Sequence, residues 1–368
     1  MRERLGGVIA VVLLWALQAD AAAPLRLDAV LGDDGGGGFA RADAPRKFEF
    51  PRDHGPHPEY RSEWWYLTAS LRGPEGEAYG VQYTLFRQGL RSAPVIGGPW
   101  DASQVYLGHL ALTDVAAASH REAERLARAH PRLAGVRAAP FRAWLDGWTL
   151  AASGPGLSGL ELEADAGEAF AVALELEPEQ PVVFQGEQGL SRKGPGQASY
   201  YYSLPRLAVS GTIRTDSGHV PVTGSAWLDR EWSTSVLSEQ QVGWDWFALH
   251  LDAGAELMAF QLRRRDGTRD PYDQGLWVPD GGAARRLTAA DFQLEPLRYW
   301  RDDEGVRWPV SWRLVVETPG GTRTLRVEAA LDDQRMDTLL TYWEGLVRVL
   351  DTDGRRVGTG YMELTGYE

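Results

Sequence analysis

"EWWYLTASLRGPEGEAYGVQYTLFR", Glu63 to Arg87, decides the fold class. Glu63 to Leu71 is aromatic and apolar, "RGPEGE" supplies a Gly/Pro turn, and Ala78 to Arg87 returns, which is the pattern of a β-hairpin. In an extended strand Glu63 shares a face with Trp65, Leu67, Ala69 and Leu71, while Trp64, Tyr66, Thr68 and Ser70 share the other. The carboxylate therefore sits on the more apolar side. A buried carboxylate either pairs with a cation or has its pKa raised by desolvation, and a raised pKa makes it a usable proton donor. The alternative is a strand-start glutamate bridged to Arg61.

Strand signals continue outward from this hairpin. Val105 to Thr113 reads as a strand, and close-spaced strands and turns resume from Phe141. Ser119 to His130, "SHREAERLARAH", reads as one short helix ended by Pro131. A weak repeat pairs the hairpin from Trp65 with "WFALHLDAGAELMAFQLRR" from Trp246. It suggests two related β-domains that meet near the polar "STSVLSEQQ", Ser233 to Gln241. The expected division is a signal peptide over 1–23, a flexible linker over 24–47, and domains over 48–231 and 232–368.

The signal-peptide expectation rests on Arg2, Arg4, the short apolar run Gly7 to Leu17, and cleavage sites after Ala21 or Ala23. It implies an exported protein, periplasmic or secreted, with export machinery as a partner. No later segment is apolar and long enough to span a bilayer. There is no cysteine, so disulfides and thiolate chemistry are excluded. A net charge of −13 argues against nucleic-acid and anionic-lipid partners. Fifteen tryptophans are enough to fill β-cores and also to line a pocket for an apolar ligand.

Several clusters could carry chemistry. His54 and His57 flank Pro56 just before Glu63; His-x-x-His in a loop is a weak metal signal, and a hydrogen-bonded role beside Glu63 is preferred to zinc. In "GSAWLDREWSTS", Trp227, Asp229 and Glu231 share one face and Leu228, Arg230 and Trp232 the other. Arg230 held by a carboxylate as an ion-pair clasp is the plain alternative there. Asp245 alternates with Phe247 and Leu249, opposite Trp244, Trp246 and His250, and Glu344 with Tyr342 and Leu346 is a third carboxylate on an apolar face. No G-x-S-x-G, H-E-x-x-H or P-loop is present. The remaining toolkit of acids, histidines and indoles suits binding of an apolar molecule, or proton-initiated chemistry on an alkene whose cation the indole faces would steady.

Five stretches, in order, carry a resemblance: "FPRDHGPHPEYRSEWWY" from Phe50, "SYYYSLPRL" from Ser199, "AWLDREWS" from Ala226, "GWDWFALHL" from Gly243 and "GYMELTGY" from Gly360. Together they resemble the lipocalin-like AttH and carotenoid 1,2-hydratase family, whose exported members are labelled predicted secreted hydrolases. The resemblance implies an all-β chain of two lipocalin-like antiparallel barrels, with a ligand cavity near their junction. It also implies either a carrier for a lipid or polyene, or a cofactor-free hydratase or hydrolase. The hydratase branch adds water to a terminal double bond without a redox cofactor. Glu63, His57, Asp229 and Asp245 are the catalytic candidates, and no metal is expected. His54, Trp64, Trp65, Tyr66, Tyr201, Trp227, Arg230, Trp232, Trp244 and Trp246 are the ligand-binding candidates.

Overall fold

The computed structural model describes residues 37–92 and 103–367. The expected signal peptide and the first part of the expected linker lie outside the described residues.

The opening hairpin forms as β1 (Ser62–Arg72) and β2 (Ala78–Gly89), with Leu71 opposite Tyr79 and Trp65 opposite Leu85. β3 (Gln104–Asp114) and β4 (Ser119–Arg128) extend the meander. The helix expected over Ser119–His130 is therefore a strand. Its Ala, Arg and Glu favour helix locally, but Thr113 and Asp114 turn straight back onto it and β3 offers a full ladder of partners. On β4, Ala123 and Ala127 pack inward while Glu124 and Leu126 face out. Pairing and burial override the propensity.

Short strands follow: β5 (Ala134–Ala138), β6 (Phe141–Leu145), β7 (Trp148–Ala152), β8 (Leu160–Asp165) and β9 (Ala171–Pro178). Then come β10 (Val183–Phe184), β11 (Leu190–Gly194) and two long strands, β12 (Gln197–Thr215) and β13 (Gly218–Ser235). The sheet order is β4-β3-β2-β1-β13-β12-β9-β8-β7-β6-β5, with β10 and β11 alongside β12. The ends curl toward each other, with β4 approaching β6, so the sheet is a nearly closed barrel. Its interior holds Trp65, Leu67, Tyr83, Trp148 and Trp232.

The change of sheet falls between Ser235 and Gln241. The second sheet contains β14 (Gln241–Leu251), β15 (Glu256–Arg264), β16 (Gln274–Val278), β17 (Arg285–Thr288) and β18 (Phe292–Arg301). It continues with β19 (Arg307–Thr318), β20 (Gly321–Ala329), β21 (Arg335–Met336), β22 (Tyr342–Leu350) and β23 (Arg356–Leu364). Its order is β17-β16-β15-β14-β23-β22-β20-β19-β18, with β21 on β22. Phe247, Trp312, Trp343 and Met362 fill its own core. The chain is thus nearly all β, in two lipocalin-like units.

A third apolar cluster, with Tyr66, Tyr201, Trp227, Trp246, Met258 and Tyr361, joins the outer faces of the two sheets. This explains why "EWWYLTASL" lacks polar alternation. Odd positions of β1 fill the first barrel, and even positions meet the second. A strand covered on both faces reads as continuously apolar.

Candidate active site

Alternation sends one face of each central strand to the junction. From the first sheet come Trp64 and Tyr66 on β1, Tyr201 on β12, and Asp229 and Glu231 on β13. Tyr66 lies opposite Asp229 in the β1–β13 register, and Trp64 opposite Glu231. From the second sheet come Trp244 and Trp246 on β14, Glu363 on β23 and Glu344 on β22. Trp246 pairs with Glu363, and Glu363 with Glu344, so the three form a row across neighbouring strands. Between these rows lies a cavity of about 230 Å³ with mostly apolar walls.

Asp229 is buried but well supplied with donors. The Trp227 Nε1 donates to Oδ1 at 2.7 Å, Ser203 Oγ donates to the same oxygen, and the Tyr201 hydroxyl donates to Oδ2 at 2.5 Å. Burial still dominates these bonds and pushes its pKa up to about 7. Glu231 accepts from Lys193 Nζ and Ser199 Oγ. The Lys193 ammonium also lies within 6 Å of the ring centroids of Trp64, Tyr201 and Phe260.

Glu344 and Glu363 face each other across a ladder where like charges are disfavoured. Burial raises Glu363 to about 8; a Trp244 hydrogen bond lowers it, and Asp229 and Glu231 raise it further. Glu344 is raised well above the usual carboxylate range, first by burial and then by Glu363. The pocket thus offers carboxyl groups that hold or release protons near neutral pH.

A second buried cluster sits inside the first barrel. Glu63 accepts from Arg87 Nε at 2.6 Å, Arg230 Nη2 at 3.1 Å and the His57 backbone N–H at 2.9 Å. The two His57 ring nitrogens face Glu63 and Asp53 at 3.1 and 3.2 Å. Burial alone would raise the Glu63 pKa, but Arg87, His57 and Arg230 hold it far below the usual range. A raised pKa at Glu63 is therefore corrected: it stays ionised, and its cations are Arg87 and Arg230 rather than Arg61. Arg230 also lies 3.9 Å from the Trp65 ring centroid, and His57 stacks on Trp232 at 3.8 Å. His54 meets the Tyr202 hydroxyl at 2.6 Å, and burial pushes its pKa down to about 4.

The structure thus divides the candidates between two places. Trp64, Tyr66, Tyr201, Asp229, Trp244 and Trp246 line the cavity, with Trp227 behind Asp229. His54, His57, Trp65, Arg230 and Trp232 form the clasp around Glu63, which together with Arg87 also borders the cavity. Asp245 faces the second barrel, where Gln261 Nε2 and the Tyr367 hydroxyl each donate to it at 2.7 Å. Burial raises its pKa, and Arg263 opposes that.

Glu363 and Lys193 escape the sequence reading. The available signal for Glu363 was the one that marked Glu344, an acid inside an apolar strand, "YMEL" beside "YWEGL". Lys193, in the turn-rich "SRKGPG", carries no such signal.

A family model described as AttH-like matches residues 41–367. The crystal structure of a protein from Nitrosomonas europaea, provisionally assigned as an AttH, is 35% identical with a TM-score of 0.79, covering 90% of this chain and 100% of that one. Kievitone hydratase from Nectria haematococca is 14% identical, with a TM-score of 0.65 over 89% of this chain and 95% of that one. CghA, solved with Sch210972, is 12% identical, with a TM-score of 0.55 over 90% and 97%. The last two likenesses are of fold. No protein of curated function matches the chain.

Proposed function

The chain belongs to the AttH-like family, and we propose that it binds an apolar molecule at the barrel junction and adds water to a carbon–carbon double bond in it. The observation behind this reading is a pair of carboxyls on opposite walls of one apolar cavity, Asp229 with a pKa of about 7 and Glu363 of about 8. Burial raises both from the ordinary carboxylate range toward neutral pH, where one can hold a proton beside an ionised partner, as acid–base chemistry requires.

In this reading Glu363 gives its proton to one alkene carbon, and the π pair forms the new C–H bond. The other carbon becomes cationic beside the indoles of Trp64 and Trp246. Water bonds to that carbon and loses a proton to Asp229. Return of that proton to Glu363, directly or through solvent, resets the site. The net change is addition of H and OH. Kievitone hydratase shares the fold, and its name denotes this reaction class. A cavity of about 230 Å³ suits a compact molecule, or the reactive end of a longer one. The expected export leader over 1–23 belongs to the same reading and assigns this activity outside the cytoplasm.

The test is extraction and mass spectrometry of the small molecule that co-purifies from the native host, then its incubation with fresh protein in oxygen-18 water. A product carrying one labelled water, lost in Asp229→Asn, supports the hydratase. A ligand recovered unchanged, bound one to one, overturns it and makes the protein a carrier.

A further inference from the structure

Glu344 is fully buried, and neither oxygen of its carboxyl is hydrogen-bonded. Among the described residues no other buried carboxyl is in that state. Asp229 has three donors, Glu231 has Lys193 and Ser199, Glu63 has two arginines, and Glu256 has Arg206 and His250. The Tyr66 hydroxyl, on the opposite sheet, is also buried without a partner. Both residues line the junction cavity.

The nearby hydroxyls do not resolve this. The Tyr66 and Tyr342 hydroxyls come within hydrogen-bonding reach of the Glu344 carboxyl and lower its pKa against burial, but neither contact has the distance and angle of a full hydrogen bond. The Tyr342 hydroxyl is engaged by His109 Nδ1 at 2.8 Å. Buried polar groups are nearly always paired, and orphaned ones are disfavoured strongly enough to need a reason. Two of them on facing walls of one cavity point to a partner that arrives with the ligand.

The surrounding charge restricts that partner. Asp229, Glu231, Glu344 and Glu363 share the cavity with Lys193, already paired with Glu231, and it is bordered by Arg87, already paired with Glu63. A carboxylate or phosphate on the ligand would add a further negative charge to this acidic cluster, whose nearby cations are each already paired with a carboxylate.

Resting on the reading of this cavity as the site for an apolar molecule, we propose that Glu344 and Tyr66 bind a neutral oxygen, hydroxyl or carbonyl, on the ligand. The substrate class is then an oxygenated apolar molecule rather than a plain hydrocarbon. Burial and Glu363 favour the protonated form of Glu344, in which the carboxyl has one O–H to donate and a carbonyl oxygen to accept. A ligand carbonyl accepts from both Glu344 and Tyr66. A ligand hydroxyl accepts from one and donates to the other.

The test is tryptophan-fluorescence titration of the full chain with four probes of similar size: 4-hexylphenol, hexanophenone, hexylbenzene and 4-hexylbenzoate. At least one of the phenol and the ketone is expected to bind about tenfold or more tightly than hexylbenzene, with the benzoate weakest. A preference for the phenol assigns the anchored group as hydroxyl, and a preference for the ketone assigns it as carbonyl. Glu344→Leu and Tyr66→Phe, each checked for an unchanged melting transition, are expected to bring the preferred probe down to the hexylbenzene level while leaving hexylbenzene binding intact. If the leucine variant does not fold, Tyr66→Phe carries the test, and Glu344→Gln, which can still donate and accept, is expected to keep the preference. Equal binding of hydrocarbon and oxygenated probes overturns the anchor but leaves the cavity reading standing, as does a preference that survives both substitutions. Failure of every probe, hexylbenzene included, removes both.

Discussion

Glu63→Gln separates a structural from a chemical role for the acid that opens β1. The substitution keeps shape and removes charge. It leaves Arg87 held by the His57 and Tyr60 carbonyls, and Arg230 held by the Trp64 and Gly55 carbonyls, with no carboxylate between them. Breaking a buried ion pair by removing one partner costs about 3–5 kcal/mol. For a cooperative unit of this size each kcal/mol moves the melting temperature by roughly 2–4 °C, so a drop of about 10 °C is expected. The pH dependence follows from the depressed Glu63 pKa. In the unfolded chain it ionises near 4.5; in the fold it stays ionised well below that. Its stabilisation is therefore complete above the unfolded value and fades as pH falls below it. Calorimetry of parent and variant from neutral to acid pH should show the gap closing with acid. A melting temperature within about 3 °C of the parent at neutral pH, or a gap independent of pH, would refute the clasp.

Asp229→Asn carries the opposite sign. Its carboxyl ionises near 3.8 unfolded and near 7 folded, so it costs the fold nothing in strong acid and progressively more up to pH 7. The variant should melt above the parent at pH 8 and alike in strong acid, while losing turnover; an equal or lower melting point at pH 8 would contradict the raised pKa. Turnover of the parent should be bell-shaped with apparent limbs near 7 and 8, read from kcat/KM against pH, and the acid limb should vanish in any residual activity of Asp229→Asn. Lys193→Met strands the buried Glu231 and should cost about 3 kcal/mol in denaturant unfolding, with Glu231→Gln added to it restoring most of the loss. N-terminal sequencing of the mature protein should begin at Ala22 or Pro24; a start at Met1 or Arg2 would sink the export expectation.

Strand character and the facing of side chains follow from local residue pattern. Glu63, Trp65 and Leu67 fall on one side of β1, and Trp227, Asp229 and Glu231 on one side of β13, because a two-residue period leaves no other arrangement once a segment is extended. The same local logic placed Trp244 and Trp246 opposite Asp245. It failed at Ser119–His130, where a helix-favouring composition yields to the ladder that β3 offers. Tertiary structure alone decided which face meets which partner. Glu63 and Asp229 look alike in sequence, each an acid among tryptophans. Yet Glu63 points into a barrel that contributes two guanidiniums, while Asp229 points toward a second sheet that contributes two more carboxyls. Desolvation acts on both, and the charge brought from distant strands sets the direction of the shift. Glu344 and Glu363 lie more than a hundred residues beyond Asp229 in the chain, and only packing of the two barrels brings their fields together.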